Sequence, residues 1–223
     1  MENRVGLKLK TRVVRFPEVN RRFLPGELGA VLDWQVRDKN GKIVARGARK
    51  SESFTRQFME LLMVKMTGAA FTSSMQARDT GNVMQHIFDA PQVFGCDAPI
   101  NNVDYGIIIG SGTLGPTIDD YAIQAIIPDA DMEYSAVTFG APAADPFISQ
   151  FTITRNFANR SGAPQTVNEI ALYVRARDGT WRSGWMVTGT FRYYMTIRDV
   201  LSPGIVVDAG LTLTVNYRPQ VVV

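Results

Sequence analysis

The sequence predicts a mainly β fold, an antiparallel β-sandwich or jelly-roll-like core with one amphipathic helix at about residues 53–66 and long ordered loops. Three observations carry that prediction. Turn signals recur at short spacing, at Asn40-Gly41, Asp79-Thr80-Gly81-Asn82, Ser161-Gly162, Asp178-Gly179 and Asp208-Ala209-Gly210. Between them apolar and polar residues alternate, most cleanly where Leu211, Leu213, Val215 and Tyr217 interleave with Thr212, Thr214, Asn216 and Arg218, the period of a sheet with one buried face. No strand-helix alternation of the kind that builds a parallel sheet accompanies them.

The elements follow in order. Trp34 to Asp38 and Ile43 to Ala48 flank Asn40-Gly41, a dipeptide that tolerates the positive φ angles of a two-residue hairpin turn. Ser51-Glu52-Ser53 offers caps for a helix in which Phe54, Phe58, Leu61, Leu62 and Lys65 share a face, and Gly68 supplies a left-handed stop. Met59, Met63 and Met66 widen the stripe, so the helix is expected to pack on the sandwich and to offer its margin to a neighbouring subunit. From Asp89 to Pro146, prolines, glycines and isolated aromatics read as long loops around strands near Tyr105 to Ile109 and Met132 to Phe139. Phe151 to Thr154 and Ile170 to Val174 read as further strands. The expected organisation is one β-rich assembly domain over residues 1–223, with a basic arm and hairpin-helix region at 1–70 and the sandwich body at 71–223.

Composition bounds the chemistry. A chain of 223 residues with 45% hydrophobic content can bury a core. A single cysteine, Cys96, allows no internal disulfide, and a single histidine, His86, allows no multi-histidine metal site. No signal-peptide pattern and no apolar run of membrane-spanning length is found, so a soluble protein made inside a cell is expected. The net charge of +3 hides a segregation: residues 1–50 hold 13 basic and 5 acidic side chains, whereas residues 79–154 hold ten acids and no Lys or Arg. Opposite fields on one chain either cancel within the fold or meet between copies, and the second expectation describes a self-assembling subunit. The interface candidates are accordingly the basic Lys8, Lys10, Arg12, Arg21 and Arg22, the acidic Asp119, Asp120, Asp129 and Asp131, and the β-branched Val221, Val222 and Val223, read as extending an open strand edge.

Catalytic and cofactor motifs are weak. Gly110-Ser111-Gly112-Thr113-Leu114-Gly115 fits G-x-G-x-x-G, but Asp119 and Asp120 would repel a phosphate near any helix beginning at Pro116, so a loop permitting close backbone approach is expected instead. Asp129-x-Asp131-x-Glu133 lacks the glycine and terminal glutamate of a calcium loop. Neither His86 nor Cys96 lies in a nucleophile motif, and the adjacent Asp97 would raise the thiol pKa. No enzyme activity, cofactor or metal is expected. The Arg and Lys residues near the start could neutralise phosphates, but Lys8, Lys10 and Arg12 oppose Val5, Leu7 and Leu9 on a strand, and a protein partner is favoured over nucleic acid. Trp181 and Trp185, four residues apart, would share a sheet face and either fill a core or stack on sugars.

The phrases Tyr105-Gly-Ile-Ile-Ile-Gly-Ser-Gly-Thr113, Asp119-Asp-Tyr-Ala-Ile123, Met132-Glu-Tyr-Ser-Ala136, Phe151-Thr-Ile-Thr-Arg-Asn-Phe157, Asn168-Glu-Ile-Ala-Leu-Tyr173, Tyr194-Met-Thr-Ile-Arg-Asp-Val200 and Leu211-Thr-Leu-Thr-Val215 resemble virion structural proteins of tailed bacteriophages. The resemblance spans roughly residues 100–223 and brings no catalytic or ligand residues. It implies a non-enzymatic β-rich subunit, assembled in the host cytoplasm and resident in the virion, whose partners are itself and other virion proteins rather than a membrane or small molecule. A neck or tail ring is the expected setting. A capsid decoration or cement protein and a receptor- or carbohydrate-binding module are the alternatives.

Overall fold

The computed structural model describes residues 14–15, 27–51, 54–67, 76–87, 93–182 and 185–222, with side chains except at 14, 15, 67 and 180–188. The strands are β1 (Val14–Arg15), β2 (Leu28–Arg37), β3 (Ile43–Lys50), β4 (Gln76–Arg78), β5 (Met84–His86), β6 (Gly106–Gly110), β7 (Met132–Tyr134), β8 (Thr138–Phe139), β9 (Ala143–Ala144), β10 (Ile148–Gln150), β11 (Ile153–Asn159), β12 (Gln165–Arg182), β13 (Trp185–Val207) and β14 (Thr212–Val222), with one helix, α1 (Arg56–Thr67). They form a nine-stranded sheet in the order β1-β3-β2-β14-β10-β9, with β11 pairing β14, β7 and β8, a three-stranded sheet β13-β12-β6, and the β4-β5 pair. All pairings are antiparallel except that of β1 with β3. The expected mainly β, sandwich-like fold with one helix is what forms.

The two larger sheets enclose one continuous core. Its regularity comes from the alternation in β14: Leu213, Val215 and Tyr217 are buried and lie opposite Val36, Trp34 and Leu32 of β2 and Phe157, Arg155 and Ile153 of β11. Facing residues of an antiparallel pair project to the same side, so these nine form three rows on one inner face. The second sheet caps that face. The Tyr217 hydroxyl lies 3.1 Å from the Ile170 carbonyl on β12, and the Tyr134 hydroxyl donates to the carbonyl of Ile127 at 2.7 Å, beside that of Ile109 on β6.

Several local expectations are corrected. The β2–β3 hairpin forms, but its loop runs over residues 38–42: Asp38 Oδ1 accepts the amides of Asn40 and Lys42, and only Gly41 takes a positive φ, of 76°. The carboxylate supplies the turn that a two-residue loop would otherwise need. Asp178-Gly179 is no turn; it is a register shift inside β12, and the hairpin continues to Arg182 opposite Trp185. Trp181 and Trp185 therefore stand on different strands, on either side of the hairpin end, and not on one strand as their spacing suggests.

Helix α1 starts at Arg56, after Phe54 has bridged to Ile197 of β13. Its buried face is Gln57, Leu61 and Val64, with Phe58 and Leu62 half-buried and Met59, Met63 and Met66 exposed. Ser51 does not cap it, because its hydroxyl donates to Asp199 Oδ2 at 2.7 Å. Glu52, Ser53 and Gly68, the other expected helix boundaries, lie outside the described residues.

Candidate functional site

Two features organise the surface: a set of buried charges that pins the loops, and an apolar groove that those loops leave open. The pinning begins on β12 and β13, where Glu169 and Arg198 face each other inside the protein. Glu169 Oε2 accepts from Arg198 Nε at 3.1 Å and Nη2 at 2.9 Å, while Oε1 accepts three backbone amides, from Gly112, Gln124 and Ala125, at 2.9–3.0 Å. The same guanidinium donates to Asp120 Oδ2 at 2.6 Å and to the Leu114 carbonyl at 3.1 Å. A buried charge is tolerable only when its hydrogen-bonding capacity is filled, and here the filling groups come from the 111–125 loop. Burial alone would raise the Asp120 pKa, but bonds from the Thr117 amide and hydroxyl and from Arg198 outweigh it and hold the carboxyl below its usual range.

The glycines of the G-x-G-x-x-G stretch find their use in this clamp. A Cβ on Gly110 would lie 2.6 Å from the Ala125 carbonyl, and one on Gly112 would collide with Glu169 and Gln124. No helix follows them. They permit the close approach of backbone to carboxylate that the sequence suggested, with the protein's own Glu169 in place of a phosphate.

Arg155 makes a second anchor without any carboxylate. It faces inward between Ile153 and Phe157 and donates to five carbonyls, those of Pro99, Asn102, Tyr105, Ile107 and Ser135, at 2.7–3.2 Å. The guanidinium stacks over Tyr134, 4.8 Å from the ring centroid. Burial pushes its pKa down to about 10, so it remains charged at neutral pH.

The groove lies where the inner face runs out. Beyond the three buried rows, β14 and β2 continue to the facing pair Val221 and Leu28, which are 42% and 49% exposed. Leu28 and Pro219 form one wall with Ile153, Phe139 and Phe151; Phe54, Phe58 and Leu62 at the helix and Leu172, Val174 and Ile197 of the smaller sheet form the other. The space between them is about 530 Å³. Polar contributions are few, chiefly Thr196 and the rim residue Asp97, whose carboxylate receives Arg175 at 3.0 Å. Cys96 also lines it, but burial first and the Asp97 charge second push the thiol up to about 12, which disfavours its thiolate.

The interface candidates divide. Lys8, Lys10, Arg12, Arg21, Arg22 and Val223 lie outside the described residues. Val221 and Val222 are not at an open edge: β14 is flanked by β2 on one side and by β10 on the other, where Val221 faces Ser149 and Val222 faces Ile148. The glycine- and proline-rich stretch before Phe151 supplies that covering strand. Asp120 is occupied by Arg198, and Asp119 pairs with Arg56 at the surface. Asp129 is exposed and Asp131 half-buried in the turn before β7, where Glu133 pairs with Arg160, so the three do not converge. Among the described residues no three His, Cys, Asp or Glu side chains gather as a metal site, and no helix is long and apolar enough to cross a membrane. Of the ten acids in residues 79–154, Asp97, Asp119, Asp120 and Glu133 are ion-paired within the chain, so part of the charge segregation is resolved internally. The groove and the two arginine anchors were missed from sequence. No protein-family model, curated protein or solved structure matches this chain.

Proposed function

We propose that this chain is a non-enzymatic structural subunit of a tailed-bacteriophage virion that assembles with copies of itself into a ring or similar oligomer of the neck or tail. The observation that supports self-assembly is the open end of the sandwich, where Leu28, Phe139 and Val221, all on the inner face of the large sheet, remain about half exposed beside an apolar groove. Apolar surface of this continuity is typical of a protein interface. A scaffold role is supported by Glu169 and Arg155, buried charges that bind the chain's own backbone and hold its loops. The virion setting draws on the resemblance of residues 100–223 described above.

The test is the particle itself. Mass spectrometry and cryo-electron microscopy of purified phage encoding this chain should find several copies arranged around the neck or tail axis. Copies spread over the shell would move it to the decoration reading, and absence from intact particles would contradict the proposal.

A further inference from the structure

We infer that the open groove is filled by the N-terminal segment of a second copy, with Val5, Leu7 and Leu9 of one chain covering the apolar wall around Leu28 and Phe139 of the next. This rests on the self-assembly reading above and adds its contact. The segment lies outside the described residues, and its direction of entry, its pattern and its charge select it.

The first is direction. β1 runs parallel to β3, with Val14 beside Ala45, and Ala45 in turn faces Val36. The chain thus enters β1 from the end of the sandwich that carries the 38–42 loop. The groove is at the other end, eight residues along β2 at Leu28, about 27 Å away at the usual rise per strand residue. The thirteen residues before Val14 span at most about 45 Å. To reach its own groove the segment must reverse and run back along the molecule. A copy stacked with its open end against this closed end receives the segment directly. Such a contact is head-to-tail, the kind that makes a ring when the rotation between copies divides a full turn.

The second is pattern. Val5, Leu7 and Leu9 alternate with Lys8, Lys10 and Arg12, so an extended segment has one apolar face for the groove and one basic face. The third is charge. The groove-lining Phe139 and Phe151 come from the stretch that lacks Lys and Arg. An apolar floor bordered by a stretch without cationic side chains suits a strand with that pair of faces.

The experiment uses the full chain in two variant forms, one carrying Leu7→Asp with Leu9→Asp, the other Phe139→Arg at the half-exposed rim. Leu28→Lys serves as a second rim variant, and thermal melting by circular dichroism checks that each folds. Sedimentation velocity should find each variant monomeric alone. A 1:1 mixture should give a species of two chains and nothing larger, because one intact segment meets one intact groove. A labelled peptide of residues 1–13 should bind the Leu7→Asp, Leu9→Asp chain, and at least about tenfold more weakly once Phe139→Arg is added. If both variants assemble like the unaltered chain, or the peptide does not bind, this contact is overturned while the self-assembly reading stands. If the unaltered chain is itself monomeric while the peptide binds only the segment variant, the segment fills its own groove, and both readings fall.

Discussion

Leu28 and Val221 face each other across β2 and β14, on the side of the sheet where the rows of Leu32 with Tyr217 and Trp34 with Val215, further along the strands, are sealed from water. Yet both of the first pair stand nearly half exposed. The alternation that makes a core thus continues past the point where the second sheet covers it. Burying such a side chain from full exposure contributes about 1.5–3 kcal/mol, so covering the exposed half contributes about 1 kcal/mol each, which gives the open end a reason to find a partner.

The Arg155 anchor predicts a large local penalty. Arg155→Met keeps the volume but leaves five inward carbonyls without their donor. Urea unfolding should show a loss of about 3 kcal/mol or more. Arg155→Lys, with one compact ammonium in place of a planar fork, should recover only part of it.

Glu169→Ala should cost about 3–5 kcal/mol, because it leaves Arg198 buried with Asp120 alone and frees three loop amides. Hydrogen exchange should rise selectively at Gly112, Gln124 and Ala125. Glu169→Gln, whose amide oxygen still accepts, should protect those amides better than the alanine variant does.

Acid should open the same loop. The Asp120 carboxyl is held below its ordinary value of 3.8, so its contribution is fully present above that pH and is lost as pH falls through the lower folded value. Exchange at residues 111–125 should therefore accelerate below about pH 4, before the rest of the sheet opens. Asp120→Asn should remove that step.

Cys96 should resist alkylation. With its thiol pushed to about 12, on the order of one molecule in 10,000 is thiolate at pH 8, against about one in four for a free cysteine. Iodoacetamide should label the folded chain at pH 8 far more slowly than the urea-unfolded chain, and equal rates would contradict the buried placement.

Periodicity made much of the fold legible. The alternation of β14, the hairpin around residues 38–42 and the helix near Phe58 all follow from local pattern. Pairing between distant strands did not follow: nothing local announces that the short β10 covers Val221 and Val222, since its partner lies some seventy residues away, beyond β11, β12 and β13. The Arg155 anchor did leave a trace, a charge at the period-2 position between Ile153 and Phe157, where a core-facing row does not ordinarily put one. Glu169 sits similarly one residue before the apolar run from Ile170 to Val174. The groove left no trace, because it is defined by where the second sheet stops, which is a property of the assembled sandwich and not of any segment.

The most direct test is the solution mass of the unaltered chain, measured by sedimentation equilibrium over a wide concentration range at low and high salt. Self-assembly gives a discrete species of several chains whose dissociation is promoted by salt and by dilution. A monomer of 24.7 kDa at every concentration and salt, with Leu28 and Phe139 protected from hydroxyl-radical footprinting, would contradict it.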